Sequence, residues 1–260
     1  MCTVTFIAAK KGYLLGMNRD EQRSRPEGLP PERIEERGRT IVCPSEASGG
    51  TWISSNDAGV SFSLINWYAI SARVDAGAAS RGDVVREVRS AESAEACEEI
   101  LRQLPLGRTN PFRLIGFFPE TQCISEWRWE LTSLTRQDHR WETQQWISSG
   151  FDEPTAQEVR GATFQKMLRQ KTSGTRDWLR RLHRSHSPEC GPFSTCMHRA
   201  DAATVSYTEI RVTPFATQMI YISAAPCLCR IPSDTAFSRW RRREMRLFRE
   251  KNGSVREGAL

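Results

Sequence analysis

Several common features are absent from this 260-residue sequence, and each absence excludes a class of protein. No apolar run reaches the roughly 20 residues that a membrane-spanning helix needs, and the first residues do not resemble an export signal. Neither a glycine-rich phosphate loop nor an HExxH pair occurs, which argues against the common nucleotide-binding folds and against HExxH zinc proteases. We therefore expect a cytoplasmic protein without a membrane span.

Cysteine patterns typical of disulfide frameworks or zinc sites are also missing. The eight cysteines are irregularly spaced and form no CxxC motif, so we predict reduced thiols and no metal site. Zinc binding by the late cysteines and histidines is an alternative that the spacing does not favour. The residues concerned are Cys190, Cys196, Cys227 and Cys229, with His183, His186 and His198.

The composition is that of an ordinary globular protein. With 38% hydrophobic and 26% charged residues, the chain is long enough to bury a large core in one domain. We expect one domain over residues 1–235, followed by a basic tail over residues 236–260. The net charge of +6 comes largely from that tail and need not describe the whole surface.

Hydrophobic periodicity predicts an α+β fold. Apolar runs bounded by turn residues predict one hairpin over residues 4–8 and 13–17 and another around the turn at 56–59, and a helical period predicts two helices between residues 80 and 104. The later predicted elements are strands at 112–118 and 122–131, a strand at 141–147 paired with the latter, helices near 155–171 and 174–184, and strands at 193–198, 203–212 and 218–223. This order favours α+β over a doubly wound parallel sheet.

Two charged stretches are predicted to lie outside these elements. Residues 22–40 contain three prolines and many charges, which is typical of an exposed loop. Residues 237–251 are predicted to form a basic helix with its aromatic side chains near one face. We expect this helix to dock on the body of the protein, with nucleic-acid or anionic-membrane binding as the alternative. No motif supports a nucleic-acid partner.

The extreme N-terminus offers a candidate nucleophile. If Met1 is removed, Cys2 carries both a thiol and a free α-amine. An α-amine with a pKa of about 7.7 to 8 can take the thiol proton and later return it to a leaving group. One residue can then supply both nucleophile and base.

A polar quartet ends the second predicted strand and could complete such a site. Asp20 can hold the ammonium, while Arg19 and amides such as Asn18 or Asn66 can donate hydrogen bonds to an oxyanion. In a hairpin, the start of the first strand lies beside the end of the second. We therefore predict that Cys2 lies next to this quartet.

The order of short motifs resembles that of the NRDE-motif family, also called the transport and Golgi organisation protein 2 family, which is itself similar to the N-terminal-nucleophile (Ntn) hydrolases. The matching segments are MC at the start, NRDE at 18–21, SRP at 24–26, GGTW at 49–52, LINWY at 64–68, SRGD at 80–83, CMHRADAATVS at 196–206 and APC at 225–227. They extend over most of the chain and end before the basic tail.

This resemblance implies a four-layer αββα sandwich with Cys2 at the edge of the central sheets. In the similar cysteine amidases, which include penicillin V acylases and bile salt hydrolases, an Asp of the second strand supports the nucleophile, and Asp20 matches it. Asn66 resembles an active-site asparagine of the bile salt hydrolases, and Arg160 resembles their late arginine. Two positions depart from the amidase pattern: Met17 replaces an arginine, and Ser149 stands where an oxyanion asparagine is expected.

Two functions are therefore expected from the sequence. The first is an N-terminal cysteine amidohydrolase or acyltransferase that acts on a linear amide and requires no cofactor. The second is a non-catalytic carrier or chaperone that holds haem, an acyl-CoA or a lipid in the same cleft. The dipeptide formed by Cys43 and Pro44 could ligate haem, and eukaryotic relatives of the family are implicated in haem trafficking. The sequence does not indicate an oligomeric state.

Overall fold

A computed structural model describes residues 2–75, 77–228 and 242–248 of the chain. The described residues form thirteen β-strands and four α-helices. The strands are β1 (Cys2–Ala8), β2 (Tyr13–Gln22), β3 (Leu29–Glu36), β4 (Arg39–Ser45), β5 (Ile53–Asn56), β6 (Ser61–Asn66), β7 (Phe112–Phe118), β8 (Cys123–Trp129), β9 (Leu134–His139), β10 (Gln144–Ser148), β11 (Ala202–Val212), β12 (Ala216–Ile222) and β13 (Arg242–Phe248). The helices are α1 (Arg81–Val88), α2 (Ala94–Gln103), α3 (Glu153–Leu168) and α4 (Arg176–His183).

The strands build two antiparallel sheets. The first has the order β10-β1-β2-β11-β12-β13, and the second has the order β3-β4-β5-β6-β7-β8-β9. Helices α1 and α2 pack on the outer face of the second sheet, and helices α3 and α4 pack on the outer face of the first. This arrangement is a four-layer αββα sandwich, which confirms the predicted α+β fold class.

The central core lies between the two sheets and follows from strand periodicity. In β1, Val4 and Phe6 point into this core, and in β2 Leu15 and Met17 do the same. The intervening residues face the helical layer, where Ile7 packs against α4. Because side chains alternate between the two faces of a strand, one hairpin supplies both the inter-sheet core and the base of a helical layer.

Two motif glycines allow close contact between a loop and the start of α1. A Cβ atom on Gly82 would lie 2.9 Å from the Cα of Gly50 and 2.9 Å from the backbone nitrogen of Thr51. No real side chain fits into that space. The GGTW and SRGD motifs therefore meet in the fold, and their glycines permit the contact.

The structure corrects three of the predicted elements. Residues 22–40 are not all loop, because they contain β3 and the first residues of β4. The prolines of β3 are tolerated because β3 is an edge strand. The strand predicted at 141–147 corresponds to β10, but β10 pairs with β1, and β8 lies between β7 and β9. Residues 193–198 form a loop rather than a strand.

The tail also differs from its prediction where it is described. Arg242–Phe248 is a strand that pairs with β12, rather than part of a helix. Leu247 is 3% exposed and Phe248 is 72% exposed, so neighbouring residues face opposite sides, as in a strand. The remainder of the predicted helix, with Phe237 and Trp240, lies outside the described residues. None of the described helices has both the length and the apolar character that crossing a bilayer requires.

Candidate active site

The strand register places Cys2 beside two polar residues. In β1, Cys2 lies opposite Arg19 of β2 on one side and opposite Ser148 of β10 on the other. The thiol-bearing residue therefore lies inside the sheet rather than at its edge. The predicted proximity of Cys2 to the polar quartet is confirmed by this register.

The thiol of Cys2 is buried, and its residue is held through the backbone. Cys2 is only 7% exposed, and its backbone nitrogen donates a hydrogen bond of 3.1 Å to Oγ of Ser148. Burial raises the pKa of the thiol, and the charge of Asp20 raises it further, while Arg19 opposes both effects. The thiol is therefore protonated at neutral pH and needs a base before it can attack a substrate.

A cavity of about 340 Å³ opens in front of Cys2. Its walls come from β1, β2, the loop before β5, the end of β6 and the N-terminus of α1. The polar lining residues are Cys2, Arg19, Asp20, Glu21, Arg25, Glu46, Ser48, Thr51, Asn66, Ser80, Arg81 and Asn110. Of the six predicted site residues, four therefore line one cavity, and Asn18 and Arg160 do not.

Asp20 forms a fully buried part of the cavity wall. Its Oδ2 accepts a hydrogen bond of 3.2 Å from the Arg160 guanidinium, and its Oδ1 accepts one of 2.6 Å from the Thr204 hydroxyl. Both carboxylate oxygens are thus held in place. Asp20 and Arg160 are each 0% exposed, so this is a charge pair removed from solvent.

Arg160 does not line the cavity but contacts Asp20 from the side of helix α3. Besides Asp20, the guanidinium of this α3 residue donates to Oγ1 of Thr3 at 2.8 Å and to the carbonyl of Pro192 at 3.2 Å. Those acceptors belong to β1 and to the loop after α4. Arg160 is therefore a positioning residue that ties α3 to the strand carrying Cys2.

Arg19 supplies the positive charge on the inter-sheet face of β2, since Met17, at the position where the amidases have an arginine, is apolar. Met17 is fully buried in the inter-sheet core. Because side chains two residues apart in a strand share a face, Arg19 points to the same side and reaches the cavity. Its guanidinium lies 4.4 Å from the centre of the Trp52 ring and 2.8 Å from a carboxylate oxygen of Glu46. These contacts fix the orientation of the cation beside Cys2.

Asn18 faces the other side of the sheet. Its amide nitrogen donates to the carbonyl oxygens of His183 at 2.9 Å and Thr195 at 2.8 Å. Both acceptors lie beneath the sheet, at the end of α4 and in the loop that follows it. The predicted role of Asn18 as an oxyanion donor therefore does not fit its position, and it holds the loop after α4.

Asn66 lies at the end of β6 and lines the cavity. Its amide nitrogen donates to the hydroxyl of Tyr68 at 2.8 Å. An amide nitrogen carries two hydrogens, so one remains for a group inside the cavity. This geometry fits the predicted role of an oxyanion donor.

Two serines that follow each other in the chain have different surroundings. Ser148 accepts the hydrogen bond from Cys2, whereas Oγ of Ser149 accepts one of 3.3 Å from the backbone nitrogen of Phe151. Ser149 does not line the cavity. The residue that contacts Cys2 is thus Ser148, which was not among the predicted site residues because its strand was expected to pair with residues 122–131.

Arg81 is a second cavity residue that was not among the predicted site residues, although the SRGD motif contains it. The guanidinium donates to the carbonyl of Pro111 at 3.3 Å, and no carboxylate pairs with it among the described residues. Burial lowers the pKa of Arg81, although the side chain stays cationic at neutral pH. A partly buried cation without a carboxylate partner is suited to an anionic ligand.

Cys43 does not fit the role of a haem ligand. It lies in β4, is 3% exposed, and its sulfur lies 3.8 Å from a guanidinium nitrogen of Arg89. It does not line the cavity in front of Cys2. A larger cavity of about 740 Å³ contains Lys10, Arg39 and Arg136 but none of the predicted site residues.

The sequence matches a known family over more than half of its length. The model of the Transport and Golgi organisation 2 family matches residues 1–145. The chain belongs to the Transport and Golgi organisation 2 family. The match contains Cys2, the NRDE quartet, Asn66 and Arg81, and it ends shortly before Ser148. No curated protein matches the sequence.

Solved structures show the fold of this member of the Transport and Golgi organisation 2 family. A penicillin V acylase from Agrobacterium tumefaciens is 10% identical and has a TM-score of 0.51, with 86% of this chain and 83% of that chain covered. The C2A mutant of a conjugated bile acid hydrolase from Clostridium perfringens is 9% identical and has a TM-score of 0.52, with 84% and 88% covered. At these identities the similarity shows the fold alone, which is that of the Ntn hydrolases.

Proposed function

We propose that the protein is an N-terminal cysteine amidohydrolase or acyltransferase that acts on a linear amide through a thioester on Cys2. The observation that supports this proposal most directly is the position of Cys2. Its thiol lies at a polar cavity shared with Arg19, Asp20 and Asn66, and its backbone nitrogen is bonded to Ser148. This is a nucleophile placed beside groups that can carry protons and hold charge.

The first step of the proposed reaction needs the free amine of Cys2. Removal of Met1 converts the backbone nitrogen into an α-amine, and Ser148 then accepts a hydrogen bond from that amine in place of the amide. The amine takes the proton of the thiol. This proton transfer is necessary because burial raises the pKa of the thiol, which is therefore protonated at neutral pH. Asp20 stabilises the resulting ammonium by its charge.

The thiolate then attacks the amide carbon, and a new C–S bond forms. The oxyanion accepts a hydrogen bond from the free amide hydrogen of Asn66, and Arg19 adds positive charge. When the C–N bond breaks, the ammonium of Cys2 returns its proton to the leaving amine. The acyl group of the thioester is then transferred to water in a hydrolase, or to a second amine in an acyltransferase. The C–S bond breaks in this step, and the amine of Cys2 again acts as the base.

Arg81 suggests which amides fit the cavity. Its cationic side chain lines the wall and has no carboxylate partner among the described residues, so an acidic group of the substrate would neutralise it. An N-acyl amino acid supplies both the amide and the carboxylate. We therefore propose this substrate class.

A carrier function is the alternative that one observation favours. Arg81 lines the cavity and has no carboxylate partner among the described residues, so it could hold an anionic group of haem, an acyl-CoA or a lipid without any reaction. This alternative predicts saturable binding of an unchanged ligand. It does not require Cys2 as a nucleophile.

The first experiment measures the intact mass of the purified full chain and then its activity. We expect Met1 to be absent and Cys2 to be alkylated by iodoacetamide near neutral pH. The protein is next incubated with a panel of N-acyl amino acids of different acyl lengths, and amine release is measured by fluorescence. Acid quenching should trap the acyl group on Cys2, where peptide mapping can locate it.

The control compares two cysteines. Cys2→Ala should lose turnover and the acyl adduct, whereas Cys123→Ala, which removes a half-buried thiol outside the Cys2 cavity, should keep both. Full turnover by Cys2→Ala would disprove the proposal. Saturable binding of haemin, palmitoyl-CoA or a lipid without turnover of any amide would favour the carrier function instead.

A further inference from the structure

Four potential metal ligands converge away from the Cys2 cavity. They are His186, Cys196, His198 and Cys227, and their ligand atoms all lie within 4.8 Å of one another. The first three belong to the loop between α4 and β11, and Cys227 belongs to the turn Pro226–Leu228 after β12. Residues distant in sequence thus meet at one point.

The measured distances match the edges of a zinc coordination tetrahedron. Zinc bonds of about 2.3 Å to sulfur and about 2.0 Å to nitrogen place a sulfur and a nitrogen ligand about 3.5 Å apart in a tetrahedron. Nε2 of His198 lies 3.3 Å from Sγ of Cys227 and 3.7 Å from Sγ of Cys196. Two edges of the tetrahedron are therefore already present.

The second histidine supplies an independent indication. Nε2 of His186 is buried and has no hydrogen-bond partner among the described residues, and its ring centre lies 5.0 Å from that of His198. A buried imidazole nitrogen without a partner is unfavourable. A metal ion that His186 coordinates through Nε2 would give this nitrogen a partner.

Three of the four side chains come from the loop between α4 and β11, and Cys227 comes from a single turn of 3-10 helix. Backbone hydrogen bonds already fix two of the ligands, because the backbone nitrogens of Cys196 and His198 donate to the carbonyls of Ser185 and Gly191. A closed set of two cysteines and two histidines is a common structural zinc site. The sequence spacing did not indicate such a site because the fourth ligand, Cys227, follows His198 only after β11 and β12.

We propose that His186, Cys196, His198 and Cys227 bind one structural Zn²⁺ ion. On binding, the two thiols lose their protons and the two neutral imidazoles donate nitrogen lone pairs, so one ion is taken up and two protons are released. No oxidation or reduction takes place. With four protein ligands the coordination is closed, and the ion has no open position for a substrate.

The proposed ion would stabilise the loop that supports the Cys2 cavity. The hydroxyl of Thr204 accepts a hydrogen bond from the backbone nitrogen of Met197, between the ligands Cys196 and His198, and donates one to Asp20. In the same loop, the carbonyl of Pro192 accepts a hydrogen bond from Arg160. The site is therefore two hydrogen bonds away from the carboxylate of Asp20.

The test measures the metal content of the full chain and does not depend on any activity. The protein is purified anaerobically from medium with added zinc, and zinc, iron and copper are quantified by mass spectrometry. We expect about one equivalent of zinc per chain. After removal of the zinc with a chelator, titration with Co²⁺ should produce thiolate-to-cobalt charge transfer and the visible bands of tetrahedral cobalt.

Variants then assign the ligands. Cys227→Ser and His198→Gln should lose the bound equivalent, whereas Cys190→Ser, which changes an exposed cysteine of the same loop, should retain it. Circular dichroism checks that each variant folds, and the Co²⁺ spectrum of the unaltered chain needs no variant. Reduced, metal-free protein that gives no thiolate band, or an anaerobic preparation with a disulfide between Cys196 and Cys227, would overturn the proposal. One equivalent of iron in place of zinc would overturn the choice of ion.

Discussion

At the scale of single residues, the pair of Asp20 and Arg160 determines how the candidate site is held. Both side chains are fully buried, and a lone buried charge is far less favourable than a paired one. The pair also spans α3 and β2, which are distant in sequence. Arg160 therefore affects Asp20 through position and charge, without reaching the cavity itself.

We predict that Arg160→Met lowers the free energy of unfolding by about 3 to 5 kcal/mol, because Asp20 remains buried without its partner. The double variant Asp20→Asn with Arg160→Met should be less destabilised than the sum of the two single variants. Urea denaturation of all four proteins gives the coupling energy. Arg33→Met, which breaks an exposed pair with Glu35, should leave the stability almost unchanged, because solvent screens that pair. Additive effects at Asp20 and Arg160 would contradict the prediction.

The centre of the cavity could be predicted from the sequence, because hairpin geometry alone brings Cys2 next to Arg19 and Asp20. The wrong role for Asn18 has a simple cause. Successive residues of a strand face opposite sides, so Asn18 and Arg19 cannot both point to the inter-sheet side. Ser148 and Arg81 were missed because their contacts depend on which strand or loop lies beside them, which short-range patterns do not reveal.

At the scale of secondary-structure elements, the N-terminus of α1 forms one wall of the cavity. Ser80 precedes this helix, and its hydroxyl accepts a hydrogen bond of 3.1 Å from the backbone nitrogen of Gly82. This contact caps the helix and sets the direction in which the next residue, Arg81, leaves the chain. Ser93 caps α2 in a similar way, with a hydrogen bond of 3.1 Å from Ala96, but it lies outside the Cys2 cavity.

We predict that Ser80→Ala and Ser93→Ala each lower the free energy of unfolding by about 1 kcal/mol, since each removes one helix cap. Only Ser80→Ala should also raise the KM for an N-acyl amino acid, because only that cap positions Arg81. Thermal denaturation measures the first effect and steady-state kinetics the second. An equal rise in KM for both variants would show that the cap acts through general stability and not through Arg81.

The element predictions failed where apolar alternation is weak or local propensity misleads. Strand β9 is rich in polar and charged residues and half exposed, so it has no clear period of two. The tail has many arginines, which favour helices, yet Arg242–Phe248 pairs with β12 because Leu247 completes the inter-sheet core. Such tertiary contacts override local preference.

At the scale of the whole molecule, the helical layer beneath the first sheet contains a buried histidine. His183 is fully buried at the end of α4, and a Cβ atom on Gly16 of β2 would lie 2.9 Å from its ring. Neither ring nitrogen has a hydrogen-bond partner among the described residues. Burial lowers the pKa of His183 to about 3, so the folded protein holds this ring neutral.

This lowered pKa makes the stability of the whole fold depend on pH. Well above pH 6.5 the ring is neutral in both the folded and the unfolded protein. At lower pH the unfolded chain binds a proton on His183, whereas the folded protein does not. We predict that His183 alone reduces the free energy of unfolding by about 2 kcal/mol between pH 7 and pH 5. The loss should continue until the pH reaches the folded-state pKa of about 3.

Urea denaturation at a series of pH values tests this prediction. The His183→Leu variant should show a shallower decline than the unaltered protein, since leucine does not titrate. Leu182→Met, which changes a buried, non-titrating neighbour in the same helix, should keep the original decline. The two variants have all other titrating groups in common. The difference between their slopes of unfolding free energy against pH therefore measures the proton that His183 binds only in the unfolded chain. If the free energy of unfolding depended on pH in the same way for both variants, the folded protein would accommodate a protonated His183 beside Gly16. The helical layer would then be less tightly packed on the sheet than the structure indicates.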